Sequence, residues 1–196
     1  SSVLAQTVDD FECLVIDDAS PEPASVRGDP RIRLIRRTEN GGPGAARNTG
    51  LAHARGRYIT FLDDDDLYTR DRLALALEGL ERAPVAICWN GYFGARRRGR
   101  TVIDRNRSLE GDVSDIIMDD IPPHLGATSL QREAAIPFDE RFEAIQDVEW
   151  WLRLATRAKV TTVPRIGYLL RKHATPRHRT GLSSRVRCSL LLFEVH

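Results

Sequence analysis

Two short apolar runs in this chain end in aspartate. FECLVID (11–17) leads into Asp18, and YITFL (58–62) leads into Asp63, Asp64, Asp65 and Asp66. Runs of this length bounded by polar residues read as strands buried on both faces. RIRLIRR (31–37) alternates apolar and basic residues, as an edge or half-buried strand does. NGGPGAARNTG opens a small-residue helix that begins at Pro43 or Gly44 and reaches about Arg55. TRDRLALALEGLERA (69–83) is a further helix, with Leu73, Leu77 and Leu80 on one face and Thr69 as its cap. Strand–helix alternation of this kind predicts an α/β fold: a mostly parallel central sheet with helices on both faces. Ligands of such sheets bind beyond the carboxyl ends of the strands, and both acidic clusters lie there.

Further along, VAICWNGYF (85–93) and LGATSLQ (125–131) read as strands, and 111–121 as a short helix. Residues 144–159 form an amphipathic helix, VTTVP and IGYLLRKH two last strands, and the tail after Ala174 is basic and partly helical. Lys and Arg total 29 against 28 Asp and Glu, so the net charge of +1 gives no argument for a nucleic-acid partner. Cys13, Cys88 and Cys188 match neither a disulfide framework nor a zinc spacing. Cys13 and Cys88 read as core residues, and the chain as cytosolic. There is no signal-peptide pattern and no apolar run near 18 residues, which leaves peripheral membrane contact open.

Four adjacent carboxylates repel one another. Two such charges about 4 Å apart cost about 4 kcal/mol at an intermediate dielectric, and a hard divalent cation removes that cost. In an extended strand side chains alternate faces, so Asp63 and Asp65 point one way and Asp64 and Asp66 the other, and residues two apart lie about 6.5 Å apart along the strand, close enough for two carboxylates to converge on one ion. Mg²⁺ and Mn²⁺ prefer oxygen ligands and are often held by one or two carboxylates plus substrate phosphates. The plainer alternative is a solvated turn with Asp66 capping the next helix. The glycine-rich segment is neither a P-loop nor a dinucleotide fingerprint; its interest is Arg47 and Asn48, on the first turns of a helix whose N-terminus favours anions. Asp17 and Asp18 read, on their own, as loop residues. Asp147 shares a helix side with Trp150, Trp151 and Leu154. It suits a general base beside an aromatic wall, or else an ordinary acidic first turn over buried indoles. His173 follows a strand and reads alone as a surface residue.

Taken together, SVLAQTVDDFECLVIDDAS, NGGPGAARNTGLAHARGRYITFLDDDDLY, PFDERFEAIQDVEWWLRLA and YLLRKH resemble, in order and spacing, the family 2 glycosyltransferases of GT-A (Rossmann-like) fold. They span about residues 2–173. The resemblance implies a donor half at 1–110, an acceptor and catalytic half at 111–173, and a basic tail at 174–196. It places Asp17 and Asp18 at the nucleotide base and ribose, and Arg47, Asn48 and Asp64 on the donor side. Asp63 and Asp65 fall on the DxD metal motif, His173 on a further metal or phosphate contact, Asp147 on the catalytic base, and Trp150 and Trp151 beside the acceptor. Gln146 stands where the family often has Glu. The family's first strand precedes SVLAQT, so a chain beginning at Ser1 is expected to leave a buried sheet edge open.

The activity so implied is transfer of a sugar, with inversion, from a nucleotide-diphospho-sugar to a saccharide or lipid-linked acceptor, with Mn²⁺ or Mg²⁺ as cofactor. Two rivals stand beside it: a non-catalytic nucleotide-sugar-binding relic, and a metal-dependent phosphohydrolase. The scarcity of Lys, only Lys159 and Lys172, weighs against the phosphohydrolase.

Overall fold

Each apolar run becomes a strand. FECLVID is β1 (Phe11–Asp17), the alternating basic segment is β2 (Ile32–Arg36), and YITFLD is β3 (Tyr58–Asp63). The computed structural model describes residues 2–26, 28–94, 102–103, 107–119, 122–142, 144–172 and 187–193. Helix α1 (Gly42–His53) joins β2 to β3, with Pro43 in its first turn, where a missing N–H costs nothing. The short β4 (Leu67–Tyr68) and α2 (Arg72–Leu80) follow. Next come β5 (Val85–Gly94), β6 (Val102–Ile103), α3 (Ser114–Asp119) and β7 (Thr128–Gln131). The last elements are α4 (Gln146–Ala155), β8 (Val160–Lys172) and β9 (Arg187–Phe193). Thr69 does not cap α2: its hydroxyl donates to Asp71 Oδ1 at 2.7 Å, and Asp71 itself precedes the helix. Leu75 joins Leu73 and Leu80 in the core, while Leu77 is only partly buried.

Among the described residues the strands form one sheet in the order β2-β1-β9-β3-β7-β5-β8-β4, with β6 paired to β5. β1, β2, β3, β5 and β8 share one direction, and β9, β7, β4 and β6 run against it. The class is α/β, as the alternation predicts, with antiparallel strands interleaved.

Two expectations change. The centre of the sheet has no open edge, because β9 lies antiparallel between β1 and β3 and pairs with both. The tail after Ala174, expected to be partly helical, thus contributes a strand. Its run from Cys188 to Phe193 holds one polar residue, Ser189, which suits a strand with neighbours on both sides. The two final strands expected around Pro164 are instead one, β8. Its register with β5 passes from Cys88–Val163 to Trp89–Ile166. Pro164 has no N–H for the ladder, so the sheet absorbs it as an irregularity rather than ending there.

The core runs along the sheet and under α4. Trp150 and Trp151 have no exposed surface; Phe138 stacks on Trp150 (5.1 Å, 8°), and Phe61 meets it edge-on at 5.8 Å. Cys13 and Cys88 are buried as expected. Burial pushes the Cys13 thiol up to about 12. No helix among the described residues is long and apolar enough to cross a membrane.

Gly126 begins the approach to β7 where the chain passes a tyrosine ring. A Cβ there would come within 2.2 Å of Tyr168 Cε2, and Tyr168 is itself 2% exposed. Gly126→Ala is expected to lower stability by about 1–3 kcal/mol, seen as an earlier midpoint in denaturant unfolding; an unchanged midpoint would show that the ring can move aside.

Candidate active site

β1 and β3 share a direction, so Asp17 and Asp63 end their strands at the same edge of the sheet. The two acidic clusters meet different fates there. Asp17 has no exposed surface, and its neighbour Asp18 is 1% exposed. Asp17 Oδ1 accepts from Ser20 N at 2.9 Å, and Oδ2 accepts from Ala24 N at 2.9 Å and Arg36 Nη1 at 2.5 Å. Burial alone would raise this carboxyl, but the donors from Ala24, Ser20 and Arg36 outweigh it and hold the group far below the usual carboxylate range. Asp18 turns the other way. Its Oδ1 accepts from Arg37 Nη1 at 2.8 Å, and its oxygens also take Gly41 N (3.1 Å and 3.2 Å) and Gly42 N (2.8 Å). The turn just after them puts Ala19 at φ 53°, a left-handed conformation that costs a non-glycine residue about 1–2 kcal/mol.

Both oxygens of Asp17, which the resemblance placed at the nucleotide, accept from donors of the protein itself. Asp18 holds the NGGPG loop, so the amides that open α1 already carry an anion of the chain's own. Asn48 is likewise occupied. Its Nδ2 donates to Phe138 O at 2.9 Å and to Glu140 Oε1 at 2.7 Å, and its Oδ1 accepts from Phe138 N at 2.7 Å. It clamps the segment leading to α4.

Arg47 sits one residue earlier. It is largely buried, stands over the Phe138 ring at 5.4 Å, and donates through Nη2 to Asp63 Oδ1 at 3.2 Å. The strand does not continue through the acidic run. β3 stops at Asp63, and Asp66 N donates to Asp63 O at 3.1 Å, closing a turn over Asp64 and Asp65. The face alternation expected for an extended strand is therefore absent. The turn presents Asp63 half-buried, Asp64 exposed and Asp65 partly exposed. Asp66 does not cap α2. Its Oδ2 accepts from the Tyr168 hydroxyl and its Oδ1 from Arg171 N at 2.8 Å. Burial first, then repulsion from Asp63 and Asp65, outweighs those donors and pushes its carboxyl up to about 6.

The donor set of this turn is all carboxylate oxygen, which suits a hard divalent ion. No group of three or more metal-ligating side chains gathers among the described residues. His173 lies outside the described residues.

Asp147 is exposed in the first turn of α4, where its Oδ1 accepts from Val148 N at 3.0 Å. The residue before the helix, Ile145, has φ 54° and is 59% exposed. Trp150 and Trp151 do not form the aromatic wall expected beside Asp147, because both are fully buried. Trp150 is in the core with Nε1 donating to Ile136 O at 2.9 Å, and Trp151 packs against it edge-on. Neither presents a face to an acceptor. Sequence reasoning missed Asp66 with Tyr168, and the strained Ile145. The first pair is 102 residues apart and leaves no local pattern. The second could have been sought only as a β-branched residue at a helix start.

The description Glycosyl transferase family 2 matches residues 1–136. The chain belongs to that family. This family 2 chain is similar to an uncharacterized glycosyltransferase of Rickettsia conorii (strain ATCC VR-613 / Malish 7), 30% identical over 169 residues, which are 81% of this chain and 28% of the relative. It is also similar to the succinoglycan biosynthesis protein ExoW of Rhizobium meliloti (strain 1021), 42% identical over 102 residues, covering 48% of this chain and 32% of that one. The chain thus spans about a third or less of the length of these two curated relatives. Among solved structures, S. aureus TarS 1–349 in complex with UDP-GlcNAc aligns with TM-score 0.74 at 20% identity, over 91% of this chain and 54% of that one. The two share the GT-A fold.

The committed carboxylate of Asp17 has a measurable consequence. Its folded pKa lies well below the ordinary aspartate value, so its stabilisation is complete above that ordinary value and is lost as pH falls through the depressed folded one. Asp17→Asn is expected to cost about 3 kcal/mol at neutral pH and to flatten the acid limb of a stability–pH curve; an unaltered curve would show that the loop does not depend on this group.

Proposed function

We propose that this family 2 chain carries the donor site and catalytic base of an inverting glycosyltransferase that uses a nucleotide-diphospho-sugar. The observation that carries the reading is the turn Asp63–Asp65, presented at the strand ends and steadied by the Arg47–Asp63 pair. The names of relatives and neighbour support a donor of the UDP-sugar kind and work in polysaccharide synthesis, on a saccharide or lipid-linked acceptor.

In this reading Asp63 and Asp65 hold Mn²⁺ or Mg²⁺, and Asp64 lies on the donor side of the same turn. The ion, when bound, supplies positive charge to the leaving diphosphate. Arg47 keeps Asp63 oriented and offsets part of the negative charge of the turn. Asp147 accepts the proton from the acceptor hydroxyl. A bond forms from that oxygen to the anomeric carbon as the bond from the carbon to the diphosphate oxygen breaks, and the electron pair leaves with the diphosphate. Attack on the opposite face inverts the centre. Asp17, Asp18 and Asn48 act indirectly, by fixing the loop and the segment that carry the reacting groups. Trp150 and Trp151 act only as the packed floor of α4.

Asp65→Ala is expected to abolish Mn²⁺-dependent binding of UDP in calorimetry. Asp147→Asn should bind UDP as the parent chain does, while sugar transfer slows by about 10²–10⁴-fold. Undiminished transfer by Asp147→Asn would remove that residue from the mechanism. A folded parent chain that binds neither UDP nor GDP with Mn²⁺ would favour the binding relic that has lost its ligand.

A further inference from the structure

The acidic turn has two ends, and a tyrosine grips each. At its start, the Tyr68 hydroxyl donates to Phe61 O, two residues before Asp63. The same hydroxyl lies 3.0 Å from Thr60 Oγ1, which accepts from the buried Arg72 Nη2 at 2.9 Å. At its end, the Tyr168 hydroxyl donates to Asp66 Oδ2 while Arg171 N donates to Oδ1 at 2.8 Å. The two tyrosines are paired partners across β4 and β8. Their rings meet edge-on at 6.3 Å, and both are nearly inaccessible, at 4% and 2%. Tyr168 has little room to turn: Gly126 crosses one side of its ring so closely that no Cβ fits, and the His124 ring lies 6.3 Å away.

We propose that Asp66 is not a ligand of the acidic turn but its anchor, and that Tyr168 is the positioning residue which fixes how Asp63 and Asp65 face the metal–diphosphate. With both Asp66 oxygens accepting from β8, the turn cannot rotate its fourth carboxylate outward to join the other three. Asp63–Asp65 are therefore offered on a backbone tied at both ends to the paired tyrosines. The inference rests on the proposed donor site and adds to it the device that orients its ligands.

A double-mutant cycle on the full chain tests this, with Mn²⁺ and UDP as the probe and calorimetry as the readout. Tyr168→Phe keeps the ring against Gly126 and deletes one hydrogen bond; Asp66→Asn removes the anchor charge. Each is expected to weaken Mn²⁺–UDP binding about tenfold, the scale of one hydrogen bond to a charged group. The double variant should weaken binding by less than the two single losses combined, because both changes act on the Tyr168–Asp66 contact. The Mn²⁺ concentration for half-maximal UDP binding should rise, a quantity that a merely structural loss would not move. Thermal melts accompany each titration. If Tyr168→Phe lowers the melting point but leaves affinity intact, the ring is packing only and the proposal is overturned. If Asp66→Asn abolishes binding while Tyr168→Phe has no effect, Asp66 is itself a ligand and the anchor is wrong. If the parent chain binds no Mn²⁺–UDP, the donor-site reading fails and the anchor with it, whereas binding by the parent and by Tyr168→Phe alike defeats the anchor alone.

Discussion

Two neighbouring carboxylates leave β1 in opposite directions inside the protein, and much of the edge above the sheet follows from how they are satisfied. Asp17 gathers Ser20, Ala24 and Arg36, which folds the loop after β1 back onto β2. Asp18 gathers Arg37, Gly41 and Gly42, which sets where α1 begins. An unpaired carboxylate at this depth would cost several kcal/mol, so neither contact set is optional. Once the start of α1 is fixed, so are Arg47 and Asn48 on its next turn. Arg47 reaches the end of β3, and Asn48 reaches the Phe138 backbone ahead of α4. A buried charge pair thus indexes three separate parts of the edge against one another.

The strand–helix framework was legible because burial leaves a periodic mark. β1, β3, α1, α2 and α4 all fall within a few residues of where their apolar patterns place them. What periodicity could not reveal was which polar groups look inward. Asp17 reads like any loop residue, because its partners Ala24 and Arg36 lie 7 and 19 positions away. Trp150 and Trp151 were ambiguous for the opposite reason: adjacent helical residues point about 100° apart, yet both are fully buried, Trp150 against Phe138 and Phe61 and Trp151 against Trp150. The acidic run was recognisable as a strand end. Its bend was not, since Asp66 turns inward only because β8, a hundred residues later, brings a tyrosine hydroxyl to meet it. The strand at the sheet centre was hidden by its place after a basic tail.

Family membership and local geometry bear on different levels of the question. The first establishes the fold and the chemical lineage of the chain. The second separates side chains that touch a ligand from those that hold other side chains in place. Of the acidic residues singled out in the first half of the chain, Asp17 and Asp18 are buried on the protein's own donors and Asp66 is tied to β8, while Asp63 is paired with Arg47 at the start of the exposed turn. Part of an apparently uniform acid signal is scaffolding.

Ile145 carries a different kind of meaning. A left-handed backbone under a β-branched residue is unfavourable, and with more than half of its surface in water the side chain recovers little by packing. Its carbonyl nonetheless accepts the first helical bond, from Glu149 N. Returning Ile145 to ordinary φ would release that strain and uncoil the opening turn of α4, and Asp147 rides on that turn. The carboxylate proposed to take a proton therefore stands on a turn whose first residue is strained, in front of two tryptophans held in the core.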